Sequence, residues 1–202
     1  VVEKNPADVD ELMALDCGDG TVAEMINRAV AKIGEKITIR RFARMDGQLI
    51  DTYIHLGGKI GVIVAAKTED ADKAKAAVHD VAMHIAAAKP SVLHRDEVDP
   101  TELDKEREIL RAQALNEPKP KPANIIEKMV EGRISKYYKE VCLLEQPFVK
   151  NPDQSVDQML KEHGGVELVA FVRFEMGEGL QKRQDNFAAY LWRTLQLWAP
   201  RA

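Results

Sequence analysis

The sequence predicts an α+β protein: antiparallel sheets with helices, and a helical hairpin projecting from them. Three observations carry that expectation. Between Lys36 and Ala66, short runs alternate apolar with polar residues and are separated by glycine turns, the pattern of a strand meander. Apolar residues recur at helical spacing over 22–33 and 70–88. Two helix-favouring stretches flank Pro118-Lys119-Pro120-Lys121-Pro122, a tip that cannot itself be helical.

Residues 5–20 read as loop, because Asn5-Pro6, Asp16, Gly18, Asp19 and Gly20 are turn chemistry. Thr21 precedes Glu24 by three positions and forms a capping box. The helix it opens carries Val22, Met25, Ile26, Ala29, Val30 and Ile33, and Gly34 ends it. Ile37, Ile39 and Arg41 alternate with Thr38, Arg40 and Phe42, which predicts a strand. Asp46-Gly47 is a hairpin signal leading into a second strand, Leu49 to His55. Gly57-Gly58 turns the chain into a third, Ile60 to Ala66. A helix over 70–88 carries Ala71, Ala74, Val78, Val81, Ala82, Ile85 and Ala86 on its buried side and stops at Lys89-Pro90.

Residues 100–117 are polar, with sparse Leu103, Ile109, Leu110 and Leu115. Past the proline tip, Ile125, Ile126, Met129, Val130, Ile134, Tyr137 and Tyr138 resume the helical period to about 139. So narrow an apolar seam suits an antiparallel coiled coil. Ser155 to Gly164 reads as a short helix and Val166 to Phe174 as a strand. Helix, glycine, strand and Arg-Phe therefore occur twice, at Arg41-Phe42 and at Arg173-Phe174, which points to two related α/β units. The tail, with Phe187, Ala188, Leu191, Trp192, Leu195, Leu197 and Trp198, reads as a helix with an apolar face.

Composition narrows the classes. In 202 residues, 45% are hydrophobic and 31% charged, which excludes wholesale disorder. Lysine plus arginine is 29 against 33 aspartate plus glutamate, so the net charge of −4 supplies no overall field for nucleic acid. Two cysteines, Cys17 and Cys142, cannot build a disulfide framework, and a reducing compartment follows. No apolar run approaches the ~20 residues needed to span a membrane. The first residues are no signal peptide, and the absence of an initiating Met suggests a fragment or a processed product.

Enzyme motifs do not assemble. Gly57-Gly58-Lys59 is not a phosphate loop, because Tyr53 stands where its first glycine belongs and Ile60 follows the lysine. His79 and His84 lie about 140° apart around a helix and share no metal-facing stripe. Cys142, among Val141, Leu143 and Leu144, reads as apolar packing. No cofactor or metal is expected, and the residues alone describe a binding module.

Longer strings say more. Ala31-Lys32-Ile33-Gly34-Glu35-Lys36-Ile37-Thr38-Ile39-Arg40-Arg41-Phe42, Val81 to Pro90, Ile126-Glu127-Lys128-Met129-Val130-Glu131-Gly132-Arg133-Ile134, Leu143 to Val149 and Val172-Arg173-Phe174-Glu175-Met176-Gly177-Glu178-Gly179 follow one another in order. Together they resemble the translation elongation factor Ts family, from about residue 6 to 189. The resemblance implies a guanine nucleotide exchange factor for elongation factor Tu, with no bond-making chemistry of its own. It implies that 1–46 ends a first core subdomain and that 47–90 with 140–178 forms a related second one. Residues 91–139 would be the coiled-coil hairpin and 179–202 a C-terminal module. The family's N-terminal three-helix module has no counterpart in these residues. Nor does its Thr-Asp-Phe-Val string, which presses on the partner's Mg²⁺ neighbourhood. The tail from Tyr190 to Trp198 does not resemble the family ending.

Partner-binding positions carried over with the resemblance are His55, His79, Asp80, Phe187 and Ala188. His55 would face the partner's third domain, or else be a solvated strand-end histidine. His79 and Asp80 would share a contact face, where Asp80 departs from the family's residue, or lie on a plain exposed helix. Phe187 and Ala188 would pack on the partner's G domain, or on their own core. A competing expectation is a ribosome- or RNA-associated protein using Arg40, Arg41, Arg44 and Lys59, against which the acidic balance weighs. Bacterial cytoplasm is the expected compartment, with plastid or mitochondrial matrix as the alternative. A homodimer is compatible with all of this.

Overall fold

A computed structural model describes residues 1–116 and 122–180. In chain order these form α1 (Val9–Ala14), α2 (Val22–Ile33), β1 (Leu49–His55), β2 (Ile60–Lys67), α3 (Ala71–Ala88), α4 (Pro100–Leu115), α5 (Ala123–Val141), β3 (Pro147–Phe148), β4 (Asn151–Ser155), α6 (Val156–Glu162) and β5 (Glu167–Glu175). The class is α+β, as expected.

Alternation in β1 and β2 puts every second side chain on one face, and the strands pair antiparallel with Tyr53 opposite Val62 and His55 opposite Ile60. The turn between them runs through Leu56, Gly57 and Gly58 at φ of 51°, 65° and 93°, a left-handed stretch that glycine enters without a Cβ clash. The sheet order is β1-β2-β5, so the third strand comes from far along the chain. This corrects the expected meander. Residues 36–47 form no strand, and Asp46-Gly47 closes no hairpin. Alternation selects a face but supplies no hydrogen-bonding neighbour. β2 pairs with β1 and β5, while 37–42 does not take the outer edge of β1 that a meander would give it and is held instead by Arg40 and Arg41 on Glu178.

One sheet face carries the core. Val62, Val64 and Ala66 meet Val78, Val81 and Ile85 of α3, and Val156, Met159 and Leu160 of α6 join the same buried cluster with Leu143 and Phe148. Asp70 caps α3, its carboxylate accepting from the Lys73 N–H. Lys89, at φ 54°, ends the helix just before Pro90. The capping box predicted at Thr21 and Glu24 is present, and Gly34 ends α2 in the left-handed region.

Two short elements escaped the sequence reading. Val9–Ala14 is a helix and not loop, because the Asp8 side chain accepts from Glu11 N–H at 2.8 Å and Leu12 is buried. β3 and β4 form a small antiparallel pair ahead of α6. The α2 stripe is less covered than its pattern promised. Only Val22 is buried, and Met25 and Ile33 are exposed.

α4 and α5 pack on each other through a separate cluster of Leu110, Ala114, Ile126, Val130 and Ile134. They run in opposite directions, with Arg111 bidentate on Glu127 at 3.1 Å near one end. At the other end Arg95 stacks 4.6 Å over the Tyr138 ring. Arg95 also grips Glu145 at 2.5 Å, which ties the base of the pair to the core. No helix among the described residues is long and apolar enough to cross a membrane.

Candidate functional site

β1 is an edge strand, so its core-facing side chains reach the rim of the sheet and stay half-buried. Asp51, Tyr53 and His55 occupy that face by the period of two. α3 packs across β1 and brings His79 to the same rim. His79 Nδ1 lies 2.7 Å from Asp51 Oδ2, and since the carboxylate can only accept, that nitrogen carries the hydrogen. The Tyr53 hydroxyl lies 3.0 Å from His55 Nδ1, and the His79 ring meets the Tyr53 ring edge-on with centroids 5.8 Å apart. Two of the residues singled out from sequence, His55 and His79, thus share one polar-aromatic rim, with Tyr53 between them. Tyr53 and Asp51 were missed, although their i, i+2 spacing to His55 was readable once the strand was.

Asp80 is engaged differently. Its carboxylate accepts from Lys150 Nζ at 2.6 Å, in the turn between β3 and β4. Phe187 and Ala188 lie outside the described residues. Among the described residues no three His, Cys, Asp or Glu side chains come together so as to hold a metal ion. Cys142 is fully buried, as its neighbours predicted, and burial pushes its thiol up to about 11.

The arginines of the competing reading are occupied. Arg40 donates to the Glu178 carbonyl at 2.7 Å. Arg41 pairs with the Glu178 carboxylate at 2.5 Å and stacks 4.3 Å over Phe174. Arg44 pairs with Asp46 at 2.6 Å. Arg40 and Arg41 anchor their segment to Phe174 of β5 and to the turn that follows it, while the Arg44 pair is local.

Further along α3 lies the buried His84, which the sequence marked only as sharing no metal-facing stripe with His79. The Val149 N–H donates to its Nδ1 at 3.1 Å, so Nε2 carries the hydrogen and donates to Gln146 Oε1 at 2.9 Å. Gln146 in turn donates to the Glu140 carbonyl at 2.6 Å. Burial lowers the His84 pKa below 6.5, outweighing the Gln146 contact, because a proton on Nδ1 would face an N–H. The native state then binds fewer protons than the unfolded chain. Stability is full above pH 6.5 and falls as pH drops below it toward the native value. Denaturant midpoints measured between pH 7.5 and 5 should show this loss, and His84→Gln should flatten it.

A half-exposed row of aromatic and imidazole groups thus lines an edge strand and the helix packed across it. The class of the protein is α+β. The chain belongs to the elongation factor Ts family: the family model described as Elongation factor TS matches residues 1–178 of the 202. Its role is that of an elongation factor in protein biosynthesis.

Proposed function

We propose that this chain binds elongation factor Tu and promotes GDP release, without making or breaking a bond itself. The family match over residues 1–178 carries the reading. In it, 47–90 with 140–178 is the gripping subdomain, 1–46 ends its relative, α4 and α5 act as a coiled-coil arm and 179–202 is a C-terminal module. His55 and His79 lie on the rim that touches the partner, Asp80 borders it, and Phe187 with Ala188 touches the G domain. The working compartment is bacterial cytoplasm. The RNA reading is less supported, since Arg40, Arg41 and Arg44 already hold internal partners.

The mechanism is differential binding. A factor that holds nucleotide-free partner more tightly than nucleotide-bound partner speeds release, and nucleotide must then weaken the factor by the same ratio. Titration of the chain against elongation factor Tu, with and without saturating GDP, tests it. Weaker binding in GDP is expected, and equal affinities would overturn the reading. On the same assay His55→Ala should weaken binding about tenfold, about 1.4 kcal/mol. His55 is only half-buried, so the melting temperature should hardly move. A large drop would make His55 a structural residue instead.

A further inference from the structure

A one-way chain of donors runs through the buried His84, which is 1% exposed. The Val149 N–H donates to Nδ1, Nε2–H donates to Gln146 Oε1, and the Gln146 amide donates to the Glu140 carbonyl. The first link holds the turn between β3 and β4, and the last satisfies a carbonyl in the final turn of α5. A backbone N–H can only donate, so the direction of the chain is fixed. A second proton on the ring must therefore go to Nδ1, where it would face the Val149 N–H. The turn has little else to hold it, because a two-stranded pair is marginal by itself. Phe148 is buried beside His84 with ring centroids 5.9 Å apart, and Lys150 Nζ reaches Asp80 at 2.6 Å. That ion pair is partly exposed and contributes little alone.

We propose that His84 is a proton-operated latch on this turn: protonation frees Val149 and Lys150 from α3, while the link from Gln146 to α5 holds. The asymmetry follows from the chain of bonds itself. A doubly protonated ring still donates from Nε2, more strongly for its charge, whereas Nδ1 can no longer accept. The charged groups on the surrounding elements are closed on one another. Asp80, one turn earlier on α3, is held by Lys150, Glu145 beside Gln146 is held by Arg95, and Asp157 of α6 is held by Lys161. Glu140 takes part through its carbonyl, and the Cys142 thiol, pushed up to about 11, stays uncharged. The ring's own hydrogen-bond partners are neutral, so the closed latch disfavours the imidazolium, and opening to water restores an ordinary value near 6.5. What the latch contributes is therefore fully present above pH 6.5 and is lost as pH falls toward the lowered native value. Opening also unpairs Asp80, the neighbour of His79, and places a bare carboxylate beside the rim. The proposal does not rest on the exchange-factor reading and is tested without any partner.

Amide hydrogen exchange followed by NMR between pH 7.5 and 5 reads the latch directly. The Val149 protection factor should fall by up to about tenfold per pH unit below 6.5. Leu143, whose N–H donates to the Val92 carbonyl, and Val156, whose N–H donates to the Gln146 carbonyl, should keep theirs. His84→Gln should make the Val149 value independent of pH. Lys150→Gln, at an exposed site, should lower that value severalfold at every pH and leave its pH dependence in place, so the test stands even if His84→Gln fails to fold. A Val149 value that stays constant from pH 7.5 to 5 would overturn the proposal. So would parallel losses at Leu143 and Val156, which would make the event global unfolding. A fall at Val149 that persists in His84→Gln would assign it to another group and also overturn it.

Discussion

Mixed with elongation factor Tu carrying a fluorescent GDP analogue, these 202 residues should bind and yet speed nucleotide release poorly. The expectation rests on the proposed function and on a division of labour within the resembled family. The second subdomain and the C-terminal module grip. The Thr-Asp-Phe-Val segment disturbs the Mg²⁺ neighbourhood that holds the GDP phosphates. Mg²⁺ is held by few protein ligands together with phosphates and water, so a small displacement there is enough to loosen the nucleotide. Residues 1–202 contain the positions assigned to gripping, His55 and Phe187, and no Thr-Asp-Phe-Val string. Each ~1.4 kcal/mol of lost preference for the nucleotide-free state lowers stimulation about tenfold, so a deficit of tenfold or more is expected. Stopped-flow GDP release measures it. The chain is compared with a version extended by a family segment bearing that string. Equal stimulation by the two would mean that gripping alone drives exchange.

Ile85→Ala should be the most destabilising single truncation tested. Ile85 is fully buried on α3 at the centre of the cluster that joins β2, α6 and Leu143. Removing a buried isoleucine side chain to Cβ costs about 2–5 kcal/mol, the loss of transfer free energy plus the cavity left behind. At this chain length each kcal/mol moves the melting temperature by roughly 2–4 °C, so a drop of about 5–15 °C is expected by calorimetry. Ile134→Ala is the contrasting case. Ile134 belongs to the α4–α5 cluster, which shares no residue with the main one. Its truncation should loosen the helical pair, seen as faster amide exchange there, while the main transition moves little. Equal shifts from both variants would show that the arm and the core melt as one unit.

What could be read in the sequence was whatever depends on neighbours along the chain. Thr21 with Glu24, Gly34, the alternation of β1 and β2 and the stripe of α3 are local signals, and each formed as expected. The strand expected at 37–42 failed for a non-local reason: a meander would have set it on the outer edge of β1, and Arg40 and Arg41 instead tie the segment to Glu178 far along the chain. Val9–Ala14 was missed because one short helical turn is outvoted by the glycines and aspartates around it, although Asp8 was a readable cap. At the rim, resemblance pointed to His55 and His79. That Tyr53 stands between them depends on α3 packing across β1. The pairing of Asp80 with Lys150 depends on a turn 70 residues away and had no sequence signal at all.

The strand order has a consequence for synthesis on the ribosome. β2 receives one neighbour at once from β1, but its other edge waits for β5, whose partner residues lie about a hundred positions later in the chain. At roughly 5–20 residues per second, that edge stays open for about 5–20 s after β2 emerges. Through that interval a nascent chain exposes an unpaired row of amides alongside Val62 and Val64. The segment then emerging, α4 to α5, has local contacts and can fold early without needing the sheet. Nascent chains stalled before residue 167 should therefore be the ones that recruit holdase chaperones, and chains released past residue 175 should not.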